Sequence, residues 1–416
     1  MEKVALTYDV FKTVQLTQAE DMAAFKRAKY DLKVRLATLN DLLNHQMYGS
    51  VSSTVDYDAW LSSHQPFHWL AEFYEIINDH GGFDVIIGNP PYVSMSNISY
   101  LRSDKTFKCS DLYGFVIRRV LQLLNEKGYH GFIVMHNLAF SRNFCDVRNQ
   151  LLHKNGSQWY SFYSRIPGGL FSGDVRVRNC IYIVSPNGKL KYTSRLHRWF
   201  TEQRDVLFTT SIEYNCFLFS TVIPMLHSEK MQEVYENTRG KHLSLYEDRN
   251  GMRIFYKKVA YNFLSVSSVE PPAYDKKNHP VAQTKLGSFT IDRNYYKYVL
   301  LLLCGKFYIS KWLTYGDDFD LTEKDLLSFT YPFDKINNED RKQLVTLYER
   351  LVSNMPQTVQ FKLNAGINVG TFNTSALWDI TDESDMIFYK YLSANPEEIR
   401  ELVESHLAKC VISNKT

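Results

Sequence analysis

Two apolar runs separated by an amphipathic segment constrain the fold more than any other feature of the chain. Residues 83–87, FDVII, predict a fully buried strand because their apolarity is nearly continuous. The segment SDLYGFVIRRVLQLLNEKG (110–128) predicts a helix capped by Ser110 and stopped by Gly128, and GFIVM (131–135) predicts a second buried strand. A strand, a helical crossover and another strand are typical of a parallel α/β sheet with helices on its faces.

An unusual tetrapeptide, Asn89-Pro90-Pro91-Tyr92, follows the first strand. In open α/β sheets ligands bind beyond the carboxyl ends of the strands, so this corner stands where chemistry is expected. The two prolines fix φ and remove two N–H donors, which leaves neighbouring carbonyls as acceptors, and Asn89 adds a side-chain carbonyl. Such acceptors suit an uncharged amine such as that of adenine, and Tyr92 offers a ring on which a base can stack. Without its flanking sequence, the tetrapeptide could equally be a tight turn that ends the strand and has no further function.

The wider context resembles a known family. FHWLAEFYEIINDHGGFDVIIGNPPYV (67–93) and DLYGFVIRRVLQLLNEKGYHGFIV (111–134) are similar to the N6-adenine DNA methyltransferases of the gamma class, especially the type IIG restriction-modification and phage-defence enzymes. The resemblance extends over roughly residues 60–335. Met135 and His136 stand where the family usually has a proline, so the loop after the second strand is expected to differ.

The resemblance implies methyl transfer from S-adenosylmethionine to an adenine flipped out of duplex DNA. Asn89 and the backbone carbonyl of Pro90 would accept hydrogen bonds from the target amine, with Pro91 holding the corner rigid. Tyr92 would stack on the extruded base. The family closes the other face of the base with a second aromatic residue, which the segment IPGGLFSGDVRVRNCIYIV places at Phe171; a core phenylalanine is an equally good interpretation.

The cofactor-binding motif of the family is missing. S-adenosylmethionine requires a glycine-rich turn after a first strand and an acidic residue ending a second, whereas residues 1–80 predict mostly helix. The glycine cluster GGLFSG (168–173) leads into a strand rather than a helix. We therefore expect a partial Rossmann-like methyltransferase sheet, with the cofactor half supplied by a second polypeptide or lost from a truncated gene product.

The region after the sheet resembles a target-recognition domain. Its signature is NYYKYVLLLLCGKFYISKWLTYGDDFDLTEKDLLSFTYPF (294–333), in which a Gly-Asp-aromatic turn is expected to face DNA. Basic residues mixed with aromatic residues occur at KLKYTSRLHRWF (189–200) and RIFYKKVAY (253–261), and these basic residues are the candidates for phosphate contacts. The alternative is that they lie on solvent-exposed faces of strands and have no binding role. The candidate DNA-binding residues are Lys189, Lys191, Arg195, Arg198, Lys257 and Lys258.

Composition excludes some classes of protein. The six cysteines are far apart and lie beside no histidine cluster, so neither a zinc site nor a disulfide framework is predicted. The longest apolar run, YVLLLLC, is too short to span a membrane and the N-terminus lacks a signal-like region, which together predict a cytoplasmic protein. A net charge of +3 does not by itself indicate nucleic acid.

The predicted organisation has four parts: an N-terminal helical segment (1–65), a catalytic methyltransferase part (66–200), an α+β target-recognition domain (201–335) and a C-terminal helical segment (336–416). Thr17 and Glu20 form a capping-box pattern before an amphipathic helix over 18–47. The leading hypothesis is an adenine-specific DNA methyltransferase chain that works with a partner on double-stranded DNA. The alternatives are a catalytically inactive DNA-binding or specificity subunit and, less favoured, a methyltransferase acting on RNA or protein glutamine.

Overall fold

The computed structural model describes residues 2–17, 22–50, 55–98, 107–171, 177–209, 212–217, 219, 221–226, 228–238 and 240–410. The chain divides into two compact units, residues 1–131 with 184–188 and residues 132–183 with 189–416. These boundaries differ from the four predicted parts, and the predicted division into functional domains stays a prediction.

The first unit begins with helices, as the sequence predicts. They are α1 (Glu2–Thr17), α2 (Met22–Ser50), α3 (Tyr57–His64), α4 (Trp69–Glu72) and α5 (Tyr74–Asn78). Helix α2 corresponds to the helix predicted over 18–47, while residues 18–21, with Glu20 of the capping box, lie outside the described residues. Trp60 is buried against α2, and Lys12 of α1 forms an ion pair with Glu75 of α5 at 2.8 Å.

Strand β1 (Phe83–Gly88), helix α6 (Leu112–Leu123) and strand β2 (Leu124–Met135) form the predicted strand, helix and strand, with two corrections. The helix ends at Leu123 and its N-cap is Asp111 rather than Ser110, so Gly128 lies inside β2. Gly128 approaches β1 so closely that a Cβ there would lie 2.7 Å from the Phe83 carbonyl oxygen. The prediction that β1 is fully buried is wrong, since Val85 and Ile87 are 58% and 78% exposed; among the described strands β1 is also the terminal strand of its sheet.

A six-stranded mixed sheet with helices on its faces confirms the predicted α/β class. Its strand order is β1-β2-β4-β3-β5-β6, with β3 (Ser157–Tyr163), β4 (Asn179–Ser185), β5 (Lys191–His197) and β6 (Asn215–Cys216). Strand β3 runs parallel to β5, whereas β5 and β6 are antiparallel. Helix α7 (Cys145–His153) precedes β3 and buries Val147, Leu151 and Leu152.

The remainder of the second unit contains small antiparallel sheets and packed helices. One sheet has the order β11-β8-β9 and another the order β10-β14-β13. The strands are β7 (Lys241–His242), β8 (Glu247–Lys257), β9 (Val266–Ser267), β10 (Ala273–Tyr274), β11 (Leu286–Ile291), β12 (Thr330–Tyr331), β13 (Val359–Asn364) and β14 (Ile367–Phe372). The helices are α8 (Glu229–Asn237), α9 (Tyr296–Cys304), α10 (Lys306–Tyr315), α11 (Glu323–Leu327), α12 (Asn338–Asn354), α13 (Trp378–Tyr389) and α14 (Pro396–Cys410).

The apolar run YVLLLLC is part of helix α9, in which nearly every side chain is buried. In the part of the chain that the structure describes, no helix combines the length and apolarity needed to cross a bilayer. The C-terminal part, predicted as charged helices, also contains the β13–β14 hairpin.

Candidate active site and nucleic-acid interface

The corner after β1 is open to solvent at its polar end. Asn89 is exposed, Pro90 is buried and Tyr92 is half-buried. The Tyr92 hydroxyl donates a hydrogen bond of 2.8 Å to the side-chain oxygen of Asn89. A carboxamide oxygen has two lone pairs, so this bond leaves Asn89 able to accept a second hydrogen bond from a ligand.

The corner is fastened to the start of α6. The Leu112 amide donates to the Val93 carbonyl at 2.8 Å, and the Met95 amide donates to the Ser110 carbonyl at 2.8 Å. The ring of Tyr92 stands edge-on to the ring of Tyr113, with centroids 6.2 Å apart, and Tyr113 is fully buried. Tyr113 therefore fixes one edge of the Tyr92 ring.

Two residues of this anchor, Asp111 and Tyr113, were not singled out as site residues from the sequence. Asp111 stands at the N-cap position of α6, where its side chain makes no capping bond and accepts a hydrogen bond of 3.0 Å from the Ser110 hydroxyl, while burial raises the pKa of its carboxyl. Both residues belong to the sequence SDLY (110–113). The distance of this motif from Asn-Pro-Pro-Tyr along the chain gave no indication that residues 93–95 and 110–112 are hydrogen-bonded to each other.

The other predicted base-stacking residue, Phe171, lies in the second unit, half-buried in the loop before β4. Arg204 holds this loop: its guanidinium donates to the carbonyl oxygens of Gly169, Leu170 and Phe171 at 2.8, 2.6 and 3.3 Å. Tyr92 and Phe171 belong to different units, and a shared role in stacking one base stays a prediction.

The described residues do not fit S-adenosylmethionine. Helices α1 to α5 precede β1, and within the described ranges no strand followed by a glycine-rich turn and a helix stands ahead of it. The carbonyl oxygens of the cluster at 169–171 are occupied by Arg204. The described residues thus form no glycine-rich cradle for the cofactor, and a second polypeptide that supplies one stays a prediction.

A buried polar cluster lies in the second unit around the turn Gly316–Asp320. Asp318, with a side chain 1% exposed, accepts a hydrogen bond of 2.8 Å from Ser164, which follows β3. Arg178, just before β4, pairs with Asp317 and lies 3.2 Å from Asp318. Asp318 has a φ of 66°, in the left-handed region that aspartate and asparagine tolerate better than most residues.

His136, which follows the second strand, belongs to the same cluster. Its ring Nε2 donates to the Asp317 carbonyl at 2.9 Å, and burial lowers its pKa to about 4, so the imidazole is neutral near pH 7. His136 thus ties the end of β2 to the turn, while the expected difference of this loop from the family stays a prediction.

The Asp318 cluster bears on two sequence interpretations. In the Gly-Asp-aromatic turn, expected to face DNA, Asp318 is buried, Asp317 and Phe319 are half-buried and Asp320 is 60% exposed, so contact of this turn with DNA stays a prediction. Arg198, a candidate for phosphate contact, has a side chain that is 0% exposed. It lies 3.8 Å from Asp318, donates to Asn262 and the Tyr261 carbonyl at 3.1 Å each, and its guanidinium sits 4.3 Å from the Tyr261 ring centroid. A guanidinium with no exposed surface and these intramolecular partners is not placed to meet a phosphate, so the structure contradicts Arg198 as a DNA contact.

The remaining basic candidates differ in their accessibility. Lys189 and Lys258 are exposed, and both remain candidates. Lys191 is half-buried near the Phe219 carbonyl at 3.4 Å, and Arg195 donates to the Lys409 carbonyl at 2.8 Å. Lys257 is half-buried beside the Thr371 hydroxyl. Among the described residues, no group of three or more His, Cys, Asp or Glu side chains is arranged to hold a metal ion.

Comparison with known proteins agrees with the resemblance. Residues 7–165 match the model of the Eco57I restriction-modification methylase family. Over 125 residues the chain is 34% identical to RM.MjaORFECS2P of Methanocaldococcus jannaschii, a protein assigned as a type II restriction enzyme and methyltransferase. This alignment covers 29% of the chain and 10% of the relative, so the chain spans only a small part of that protein's length.

Two solved structures of restriction-modification enzymes give loose matches. The type IIL enzyme MmeI in complex with DNA aligns with 80% of this chain and 55% of its own, at 10% identity and a TM-score of 0.40. A nuclease-deletion mutant of the type ISP enzyme LlaGI, in complex with a DNA substrate mimic, aligns with 94% and 57%, at 10% identity and a TM-score of 0.39.

The family match includes both the N-terminal helices and the strand, corner, helix and strand on which the sequence resemblance was based. The similarity to the Eco57I restriction-modification methylase family is thus confined to residues 7–165 of this chain.

Proposed function

We propose that this chain is the target-base and DNA-binding part of an adenine-specific DNA methyltransferase of a restriction-modification or phage-defence system. The observation that supports this most is the corner at residues 89–92, where an exposed Asn89 oxygen stands beside the ring of Tyr92 at the end of a strand. The family of residues 7–165 supports a DNA-modifying methylase.

The corner would act by alignment. The N6 amine of a flipped adenine donates one hydrogen bond to Asn89 Oδ1 and the other to the Pro90 carbonyl, which directs the nitrogen lone pair away from both acceptors. Tyr92 supplies the stacking face, and Tyr113 keeps its ring from turning away. S-adenosylmethionine held by another polypeptide segment would supply the methyl group: the N–C bond would form as the S–C bond breaks, S-adenosylhomocysteine would leave, and N6 would give up one proton to solvent. Stacking worth ~1–3 kcal/mol per base offsets much of the cost of flipping.

An exposed edge of the sheet supports the requirement for that second segment. Among the described strands β1 is paired with β2 alone, and its Val85 and Ile87 side chains are largely exposed. A long apolar edge strand is an aggregation hazard that natural proteins normally cover. Strands carrying a glycine-rich cofactor turn would pair with this edge by strand addition and bury both side chains.

The experiment is transfer of labelled methyl from S-adenosylmethionine to duplex DNA, by the chain alone and with a separate polypeptide that carries a glycine-rich strand, turn and helix. We expect incorporation only with both, and its loss in Asn89→Ala. Asn97→Ala is the matched control, since Asn97 is an exposed asparagine of the same segment and is expected to leave incorporation unchanged. Equal incorporation by Asn89→Ala and Asn97→Ala would refute the proposed role of the corner.

A second candidate function, an inactive DNA-recognition subunit, is favoured by the missing cofactor cradle. It predicts duplex binding without methyl transfer under every combination of chains. The less favoured transfer to RNA or to a protein glutamine predicts methyl incorporation without binding to duplex DNA.

A further inference from the structure

A cavity of about 550 Å³ in the second unit carries an unusual concentration of positive charge. The end of β8, the segment 282–285 and the β13–β14 hairpin form its walls. Three lysines line it, Lys257, Lys285 and Lys362, together with apolar side chains that include Ile367 and Val369. We call this cavity the lysine groove.

The lysines of the groove lack compensating negative charge. The lining residues that the structure describes include no aspartate or glutamate, and no ion pair recorded between described residues involves any of the three lysines. Burial, and then the charge of Lys362, lower the pKa of Lys257. Two ammonium groups are therefore held close enough to repel each other, an arrangement that a bound anion would relieve.

The walls of the groove are built before any ligand arrives. Residues Asn364 and Ile367 are paired across a two-residue turn in which Ala365 and Gly366 have φ values of 48° and 84°. Positive φ at both central positions is the geometry of a tight type I′ hairpin, which holds Lys362 on a rigid arm.

Gln283 fastens this hairpin to the strand segment that carries Lys285. Its side-chain amide donates to the Gly370 carbonyl at 3.1 Å and to the Pro271 carbonyl at 2.9 Å. The positions of Lys285 and Lys362 are thereby coupled, so the spacing of their charges is fixed by the fold rather than by the ligand.

We propose that the lysine groove binds the phosphodiester backbone of duplex DNA. The choice of DNA as the polyanion rests on the proposed function. Lys285 and Lys362 are exposed at the rim, Lys258 continues the positive surface beside them, and Leu363 at the hairpin is 71% exposed. The Lys258 amide donates to the Lys285 carbonyl at 2.8 Å, which keeps these two lysines adjacent. A rim of this kind suits an extended backbone more than a small enclosed anion.

The test is equilibrium binding of a fluorescent duplex to the purified chain over a range of salt concentrations. In the double variant Lys285→Gln/Lys362→Gln we expect affinity near 0.1 M salt to fall by about tenfold or more. The slope of log K against log salt should become shallower by about 1.8, because each lost phosphate contact removes roughly 0.9. Lys335→Gln/Lys342→Gln makes the same change in charge at exposed positions outside the groove, and should reproduce neither effect.

Binding is read without methyl transfer, so the two proposals fail separately. Groove-dependent binding, together with no methylation even when the separate polypeptide with the glycine-rich turn is added, would support the groove and count against the enzyme. Equal salt slopes for the groove and control variants, or no duplex binding by the unaltered chain, would overturn the groove assignment. Displacement of the duplex by millimolar inorganic phosphate or ATP would assign the groove to a small anion and overturn the choice of DNA.

Discussion

Replacing Asp318 by asparagine should destabilise the second unit strongly. The Asp318 carboxylate is 1% exposed and lies 3.8 Å from Arg198, whose side chain is 0% exposed. Removing one partner of a buried ion pair typically costs about 3–5 kcal/mol, because the other charge is left uncompensated. Arg178 keeps its contact with Asp317, so we expect the lower end, about 3 kcal/mol. Asparagine tolerates the φ of 66°, whereas alanine should lose ~1–2 kcal/mol more.

The assay is urea unfolding of the whole chain, followed by a probe that reports on the second unit. Asp320→Asn is the internal control, since Asp320 belongs to the same turn but is 60% exposed and lies 3.7 Å from Arg178. Because the Asp320 carboxylate stays solvated and Arg178 keeps its contacts with Asp317 and Asp318, its loss should cost less than about 1 kcal/mol. A loss in Asp318→Asn no larger than in Asp320→Asn would show that the buried charges do not organise the strand ends.

Three further predictions concern the corner and the two units. Tyr92→Phe removes the hydroxyl hydrogen bond to Asn89 but keeps the ring, so methyl transfer should survive. Tyr92→Ala should slow methyl transfer by about 5- to 150-fold, because it removes stacking worth ~1–3 kcal/mol. Equal rates of methyl transfer in the two variants would contradict this role of the ring. Burial raises the pKa of Asp385 to about 8, so the stability that its protonated form contributes is complete below about pH 4 and is lost as the pH rises toward 8. The melting temperature should therefore fall over this pH range, and Asp385→Asn should flatten the fall. The same pH profile in the variant and the wild type would contradict this role of Asp385. Gly82 has a φ of 128°, and a Cβ there would lie 2.5 Å from the last carbonyl oxygen of α6. Gly82→Ala should therefore reduce the free energy of unfolding by about 2 kcal/mol or more. A denaturation midpoint unchanged from wild type would refute the close approach.

The local pattern predicted the strand, corner, helix and strand well, because each depends on residues close in sequence. It did not predict the exposure of Val85 and Ile87, since a continuous apolar run indicates burial only when both faces of the strand are covered. The same run becomes informative once β1 is known to be terminal, as it is suited to a partner strand. Strand β2 also begins earlier than predicted, because helical periodicity continued past Leu123 while the backbone had already become extended.

Long-range contacts account for the other differences. In the sequence, a basic residue among aromatics looks the same whether it contacts phosphate or is a buried structural cation. Arg198 is shown to be a buried cation by its contact with Asp318, which lies 120 residues away in the chain. The β13–β14 hairpin was missed because its turn is Ala365-Gly366 rather than the asparagine-glycine pair that usually indicates a type I′ turn. The lysine groove joins three segments separated in the chain, so no local motif could indicate it.

The central claim is that the corner at residues 89–92 receives an adenine amine, and the most direct measurement is the identity of the methylated nucleoside. Duplex DNA incubated with S-adenosylmethionine, this chain and the separate polypeptide used in the transfer experiment would be digested to nucleosides and analysed by mass spectrometry. The proposed geometry predicts N6-methyladenine from the wild-type chain and none from Asn89→Ala. A methylated cytosine, or N6-methyladenine formed equally well by Asn89→Ala, would contradict it.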